Sequence, residues 1–355
     1  MKILVLNKHV EDQIGGSEIQ CDLVSRYLLK HGHWITYVAV RSERSYYSSP
    51  YEVIPISKLT MSSFRRIIKQ LDPDIVYWRY NKKSLLTSAI ICKAYRCKFV
   101  FSIAALDDLK KWSYYPKKFF IRFKQMVTSR INYIGFHFVD GIISLRKDFL
   151  PMVPDYPKLK RTHVYNCMAV SSAVAFQWEK PFVVWVAAIK KIKNPELYVE
   201  AAERLRDLPI DFLMIGKITD KSYSYLTDRG SIPPNLHYLG EKTPEAVNGI
   251  LRGSLFLVHT CRPEGFSNNF IQAWLQERPT VSLCYDPDGF IEEHRIGYFS
   301  RSLDMMCEQI RQLVEDAEQR RDMGLRARRV AREFFDPETN VRRFESFFEE
   351  VLKSQ

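Results

Sequence analysis

Apolar positions along the chain alternate between short continuous runs and longer stretches with a 3.6-residue period. The runs cover residues 1–6, 35–40, 74–77, 99–103, 141–144 and 163–165, and then 182–187, 212–216, 235–240, 254–259 and 280–284. Short apolar runs bounded by polar turns are the pattern of strands buried on both faces, as in parallel sheets. Between them lie amphipathic stretches, such as Ile19, Leu23, Val24, Tyr27 and Leu28, or residues 85–95. Three helices close the chain, at 303–316, 318–335 and 337–352. The small-residue-rich stretch 168–180 breaks the rhythm and reads as a linker. Strand–helix alternation on either side of it predicts an α/β protein of two doubly wound Rossmann-like domains facing across a cleft, at 1–170 and 178–336. The helix from 337 carries Phe344, Phe347 and Phe348 on one face, and is expected to return to the first domain.

Composition changes this picture in one respect. Hydrophobic residues make up 46% of the 355 positions, enough for a packed core in each of two domains. The longest apolar runs fall far short of a membrane span. The opening MKILVLN enters a strand without the features of a signal peptide. Seven scattered cysteines without a C-x-x-C pair fit a reducing cytoplasm. No His/Cys cluster has zinc spacing. The charge, however, is unevenly placed. Through residue 177 there are 28 Lys+Arg against 13 Asp+Glu, and beyond it 25 against 28. A basic first half admits three partners: nucleic acid, an anionic membrane, or a phosphorylated substrate.

Candidate chemistry concentrates in residues 260–283, TCRPEGFSNNFIQAWLQERPTVSL. A strand runs into a polar turn with Glu264 and Gly265, and a helix starts at Ser267, Asn268 and Asn269. Backbone N–H groups at such a start, with the dipole behind them, suit an anion. A carboxylate at Glu264 can accept hydrogen bonds from sugar hydroxyls. Gln272 lies just over two turns down and faces the same way. In its plainest form the stretch is a strand–turn–helix capped by Ser267 and Asn268. Further polar residues stand at predicted strand ends: Gly15-Gly16 before the first helix, Arg79, Asp107-Asp108, Lys190 and Lys193, and Gly216. The Gly pair reads equally as a tight turn needing positive φ, and Asp107-Asp108 equally as a helix cap. The loop is not G-x-G-x-x-G, which disfavours a dinucleotide-binding dehydrogenase.

This arrangement resembles the retaining GT-B glycosyltransferases of the large family-four group, also called glycosyl transferases group 1, with E-x7-Q in place of their E-x7-E. The resemblance is specific over about 182–283 and looser before that. It implies that Glu264 holds the donor sugar, that Gly265, Phe266, Ser267, Asn268 and Asn269 bind sugar and phosphate through the backbone, and that Gln272 meets the ribose. Relatives pair an Arg with a Lys to clamp the diphosphate. Lys193 matches the Lys, but Ala188 stands at the Arg position, leaving Lys190 as the candidate replacement. Gly16 and Gly216 match the glycines near the donor. A His common in relatives near 104–105 is absent, so Asp107 is the candidate to orient an acceptor hydroxyl, with Asp108 and Arg79 beside it. The implied activity is transfer of a sugar from a UDP- or GDP-linked donor to a glycan or lipid-linked acceptor in bacterial surface polysaccharide synthesis. No cofactor or metal is implied: there is no D-x-D motif, and Asp286-Pro287-Asp288 lies past the site strand.

The segment 110–130, KKWSYYPKKFFIRFKQMVTSR, reads after Pro116 as a basic amphipathic helix. Lys117, Lys118, Arg122 and Lys124 suit an anionic headgroup layer, giving a cytoplasmic protein peripheral on the inner face of a membrane. Alternatively Phe119, Phe120, Phe123, Met126 and Val127 pack on the sheet with the lysines in water. Two rival functions remain: a catalytically silent GT-B partner subunit, and a nucleic-acid-binding protein, although no nucleic-acid motif accompanies the charge.

Overall fold

The computed structural model describes residues 1–80, 84–104, 106–109, 119–170, 175–262 and 265–354, without the side chains of 106, 107 and 119–122. The chain divides into two compact units, Met1–Cys167 with Pro337–Gln355, and Met168–Asp336.

The first unit contains β1 (Lys2–Asn7), α1 (Gly16–Lys30), β2 (Trp34–Val40), β3 (Glu52–Ile56), α2 (Met61–Leu71), β4 (Ile75–Trp78), α3 (Leu85–Ala94), β5 (Lys98–Ile103), α4 (Leu106–Leu109), α5 (Phe119–Ile134), β6 (Gly141–Ser144) and β7 (Lys160–His163). The sheet order is β3-β2-β1-β4-β5-β6-β7, all parallel. Strand order reverses between β1 and β4, which places a switch point at their carboxyl ends. One core lies on the α2–α3 side, with Phe64, Ile68, Trp78, Ala89, Phe99 and Phe136. The other, with Val24, Leu28, Tyr77 and Val100, also takes in Phe344, Phe347 and Phe348.

The second unit contains β8 (Phe182–Val186), α6 (Pro195–Arg204), β9 (Asp211–Ile215), β10 (Leu236–Tyr238), α7 (Pro244–Gly253), β11 (Leu257–His259), α8 (Asn268–Leu275), β12 (Thr280–Ser282), α9 (Phe290–Glu293), β13 (Gly297–Phe299), α10 (Leu303–Glu315) and α11 (Ala317–Phe334). Its order is β10-β9-β8-β11-β12-β13, again parallel, with the switch point between β8 and β11. α12 (Pro337–Lys353) then rejoins the first unit. His31 reaches Glu345 at 3.2 Å and Glu338 at 3.0 Å, and His33 reaches Glu345 at 2.8 Å.

The structure departs from the sequence pattern in four places. β3 and α2 have no counterpart in the apolar reading, because β3 is a half-buried edge strand interrupted by Pro55. Edge strands tolerate such a proline. The strand expected at 163–165 lies at Lys160–His163 instead, paired with β6. The expected linker packs on the second unit from Phe176 onward: Phe176 meets Phe182 at 5.7 Å, and the Trp178 indole donates to Asp211 at 2.8 Å. Finally, Phe123 and Val127 on α5 face solvent rather than the sheet.

Candidate functional site

Polar residues gather at the switch point of each sheet. In the second unit the loop after β8 is fastened to the end of β11. Thr260 Oγ1 donates to the carbonyls of Lys193 and Asn194, both at 3.0 Å, and accepts the Trp185 indole N–H at 2.9 Å. Asn194 Nδ2 returns a bond to the Thr260 carbonyl at 3.0 Å. Two residues further, the Arg262 N–H donates to the Ile192 carbonyl at 3.2 Å. Asn194 adopts left-handed φ and ψ, and Pro195 starts α6 directly after it. These bonds hold Lys193 at the carboxyl ends of β8 and β11. Burial, and after it the charge of Lys193, hold the imidazole of His259 down at about 3. Lys190 and Ala188 are exposed on the same loop, and Arg262 is exposed on the loop after β11.

Glu264 lies outside the described residues, but the residues after it are held from three sides. The Tyr285 hydroxyl donates to the Gly265 carbonyl. Phe266 is buried among Trp274, Phe290 and Phe335, with ring centroids 6.3, 5.8 and 4.9 Å away. Asn269 Nδ2 donates to the Val186 carbonyl at 2.5 Å, fixing the first turn of α8 to the end of β8. A rigid frame of this kind fixes the backbone N–H groups at the helix start, the requirement for an anion site without reorganisation.

Several expectations change. Ser267 occupies the N-cap position of α8 but its hydroxyl makes no capping bond. Phe266 contributes packing. Gln272 is buried, and its amide donates to Asn248 on α7 at 3.2 Å, so it bridges two helices instead of standing open at the site. Gly216 has φ +146°, and a Cβ there would fall 1.8 Å from the Ala187 carbonyl oxygen. It is a close-approach position between β9 and the loop after β8.

In the first unit, Gly15 has an extended φ of −156° and Gly16 begins α1, so no positive φ explains the pair. A Cβ on Gly15 would lie 2.3 Å from the Glu18 carboxylate, which is buried over the helix start. Gly15 makes room for that acid. The loop before it is held by His9. The Glu11 N–H points at His9 Nδ1 at 3.3 Å, so Nε2 carries the proton and faces Tyr51 Oη at 3.2 Å. Tyr51 in turn donates to Asp22 at 2.5 Å. Burial lowers the His9 pKa against the pull of Glu11, Asp22 and Asp12, keeping the ring neutral.

Arg79 lies at the end of β4 but is buried. It donates to Asn166 Oδ1 at 2.7 Å and more loosely to Tyr77 Oη at 3.4 Å, and its Nε has no partner among the described residues. Asp108, inside α4, accepts the Ala104 N–H at 3.0 Å, tying the short helix back to the end of β5. The side chain of Asp107 lies outside the described residues, as do Lys117, Lys118 and the side chain of Arg122. Among the described residues, no three His, Cys, Asp or Glu side chains are grouped to hold a metal ion, and no helix is long and apolar enough to cross a membrane. Sequence reasoning missed Glu18, Thr260, Arg262 and Tyr285. Only Glu18, an acid two residues after a Gly pair, carried a local signal.

Residues 171–330 match the family Glycosyl transferases group 1. That span carries the whole strand-end site of the second unit. The architecture of the full chain is GT-B. Sucrose-phosphate synthase from Thermosynechococcus elongatus superposes with TM-score 0.79 at 12% identity, over 99% of both chains. WaaG, a glycosyltransferase involved in lipopolysaccharide biosynthesis, matches at 0.70 and 13%, over 98% of this chain and 99% of its own. TarM from S. aureus, crystallised with fondaparinux, α-GlcNAc-glycerol and UDP, matches at 0.64 and 18%, over 82% of this chain and 59% of its own. Identities this low establish the shared fold. No protein with a curated description matches the sequence.

Proposed function

We propose that the chain is a retaining glycosyltransferase, moving a sugar from a UDP- or GDP-linked donor to a hydroxyl of a glycan or lipid-linked acceptor. Bacterial surface polysaccharide synthesis, at the inner face of the cell membrane, is the setting this reading favours. The observation that carries it is the fastening of Lys193 beside the framed turn 265–269, within the span that matches the family. Negative charge grows on the departing diphosphate as the sugar C1–O bond breaks, and the acceptor oxygen bonds C1 as its proton passes to the departing phosphate oxygen. Lys193, the N–H groups opening α8, and the exposed Arg262 or Lys190 in place of the cation missing at Ala188 would stabilise that charge. With these groups in place the step needs no metal. Glu264 would hold the sugar hydroxyls. In the first unit, Gly16, Arg79, Asp107 and Asp108 would border the acceptor.

A second reading has its own support. Ala188 offers no charge, and Gln272 is committed to Asn248, which fits a GT-B subunit that no longer catalyses. Thermal melting against UDP, GDP and their sugars separates the two. A ligand that binds only the native state stabilises it by about 2.7 kcal/mol at a hundred times its Kd. Stabilisation by one nucleotide, lost in Lys193→Ala, is the expected result. No stabilisation by any of them favours the silent subunit. Product of inverted anomeric configuration, read by NMR, would overturn retention.

A further inference from the structure

The side of α5 that should be hidden is the side in water. Phe123, Val127, Ile131 and Ile134 are between 40% and 62% exposed. At about 100° per residue they fall within an arc of about 80°, a continuous stripe along the helix. On the inner side Asn132 is buried, and Gly135 and Phe136 follow it into the core. The helix therefore already has its packed face, and the stripe is a second, unpartnered one. Lys124 borders the stripe on one edge and Arg130 on the other. From residue 110 to 139 the sequence holds seven Lys+Arg and no Asp or Glu. An apolar strip edged by cations, on a segment whose sequence carries no acid, complements a surface of hydrocarbon beneath negative headgroups. A protein partner would leave that one-signed charge to be matched residue by residue.

We infer that this outer face of α5 docks the first unit on an anionic lipid bilayer, with Phe123, Val127, Ile131 and Ile134 entering the acyl boundary and Lys124 and Arg130 at headgroup level. Each cation at such a surface raises partitioning roughly fivefold, an effect that salt screens. The surface deepens the membrane setting of the proposed function and rests on it for its purpose, while its geometry is that of α5 and not of the transferase site.

The test is co-sedimentation of the full chain with vesicles of phosphatidylglycerol and phosphatidylcholine, against phosphatidylcholine alone. Binding to the anionic vesicles, weakened by salt and at least tenfold stronger than to neutral ones, is expected. Phe123→Glu with Ile131→Glu should reduce it tenfold or more while leaving the melting temperature and any nucleotide-induced shift unchanged. Val127→Asn, a milder change on the same face, replaces the pair if the double variant does not fold, with a several-fold loss expected. The inference fails if the chain ignores anionic vesicles, if the variants bind as well as the parent, or if polynucleotide displaces the vesicles. It fails also if the chain self-associates through this face, shown by an oligomer that Phe123→Glu dissolves. Nucleotide-induced melting shifts are read separately, so loss of docking and loss of the transferase reading are distinct results.

Discussion

Tyr285 and Gly265 are twenty positions apart, and the bond between them is what a sequence pattern does not display. Tyr285→Phe removes one hydroxyl and leaves the ring in place. It should cost no more than about 1.5 kcal/mol of stability, while nucleotide affinity falls several-fold as the turn loosens, both readable in one melting series with ligand. Gly216→Ala should behave differently. Its φ of +146° and the Ala187 carbonyl at 1.8 Å leave no room for a Cβ, so β9 or the loop after β8 must move. The expected loss is at least about 2 kcal/mol, measured by chemical denaturation of the second unit. The glycine was legible as a strand-ending residue, but its reason was not, because the obstructing carbonyl belongs to the loop after another strand. Ser267 and Gln272 make the same point from the other side. Both stand at positions their residue types suit, yet one hydroxyl caps nothing and the amide turns to a neighbouring helix.

Elements buried on both faces were readable from apolar runs, since periodicity reports burial directly. The edge of the first sheet was not, because Pro55 and half-burial erase the signal there. α5 was readable as a helix but not by face: 3.6-residue spacing marks an apolar stripe without saying whether protein covers it. α12 is the opposite case, its Phe face packed into the first unit's core. Its polar side carries a further prediction. Glu345 accepts from or pairs with both His31 and His33 and is mostly buried. Glu345→Gln removes the charge shared by the two rings and should lower first-unit stability by about 2 kcal/mol. An unchanged denaturation midpoint would mean that packing of Phe344, Phe347 and Phe348 alone holds the helix.

Across the whole molecule, desolvation lowers histidine pKa values in both units, which couples both to pH in the same direction. His259 in the second unit is held down at about 3 by burial and Lys193. His163 in the first is held down at about 4 by burial, Lys147 and Arg343. In the unfolded chain both titrate near 6.5. Between the folded and unfolded values the unfolded chain binds more protons, so stability rises with pH through that window and is lost as pH falls below about 6.5. Each group contributes a slope of at most about 1.4 kcal/mol per pH unit, acting over roughly 6 to 4 in the first unit and further down in the second. Acid should therefore weaken both units well before most carboxylates protonate. Denaturation midpoints measured at successive pH values check this, with His163→Asn expected to flatten the first unit's dependence and His259→Gln the second's. A profile flat from 7 to 5 in the parent chain would show that the rings are charged when folded, against the desolvation that lowers both.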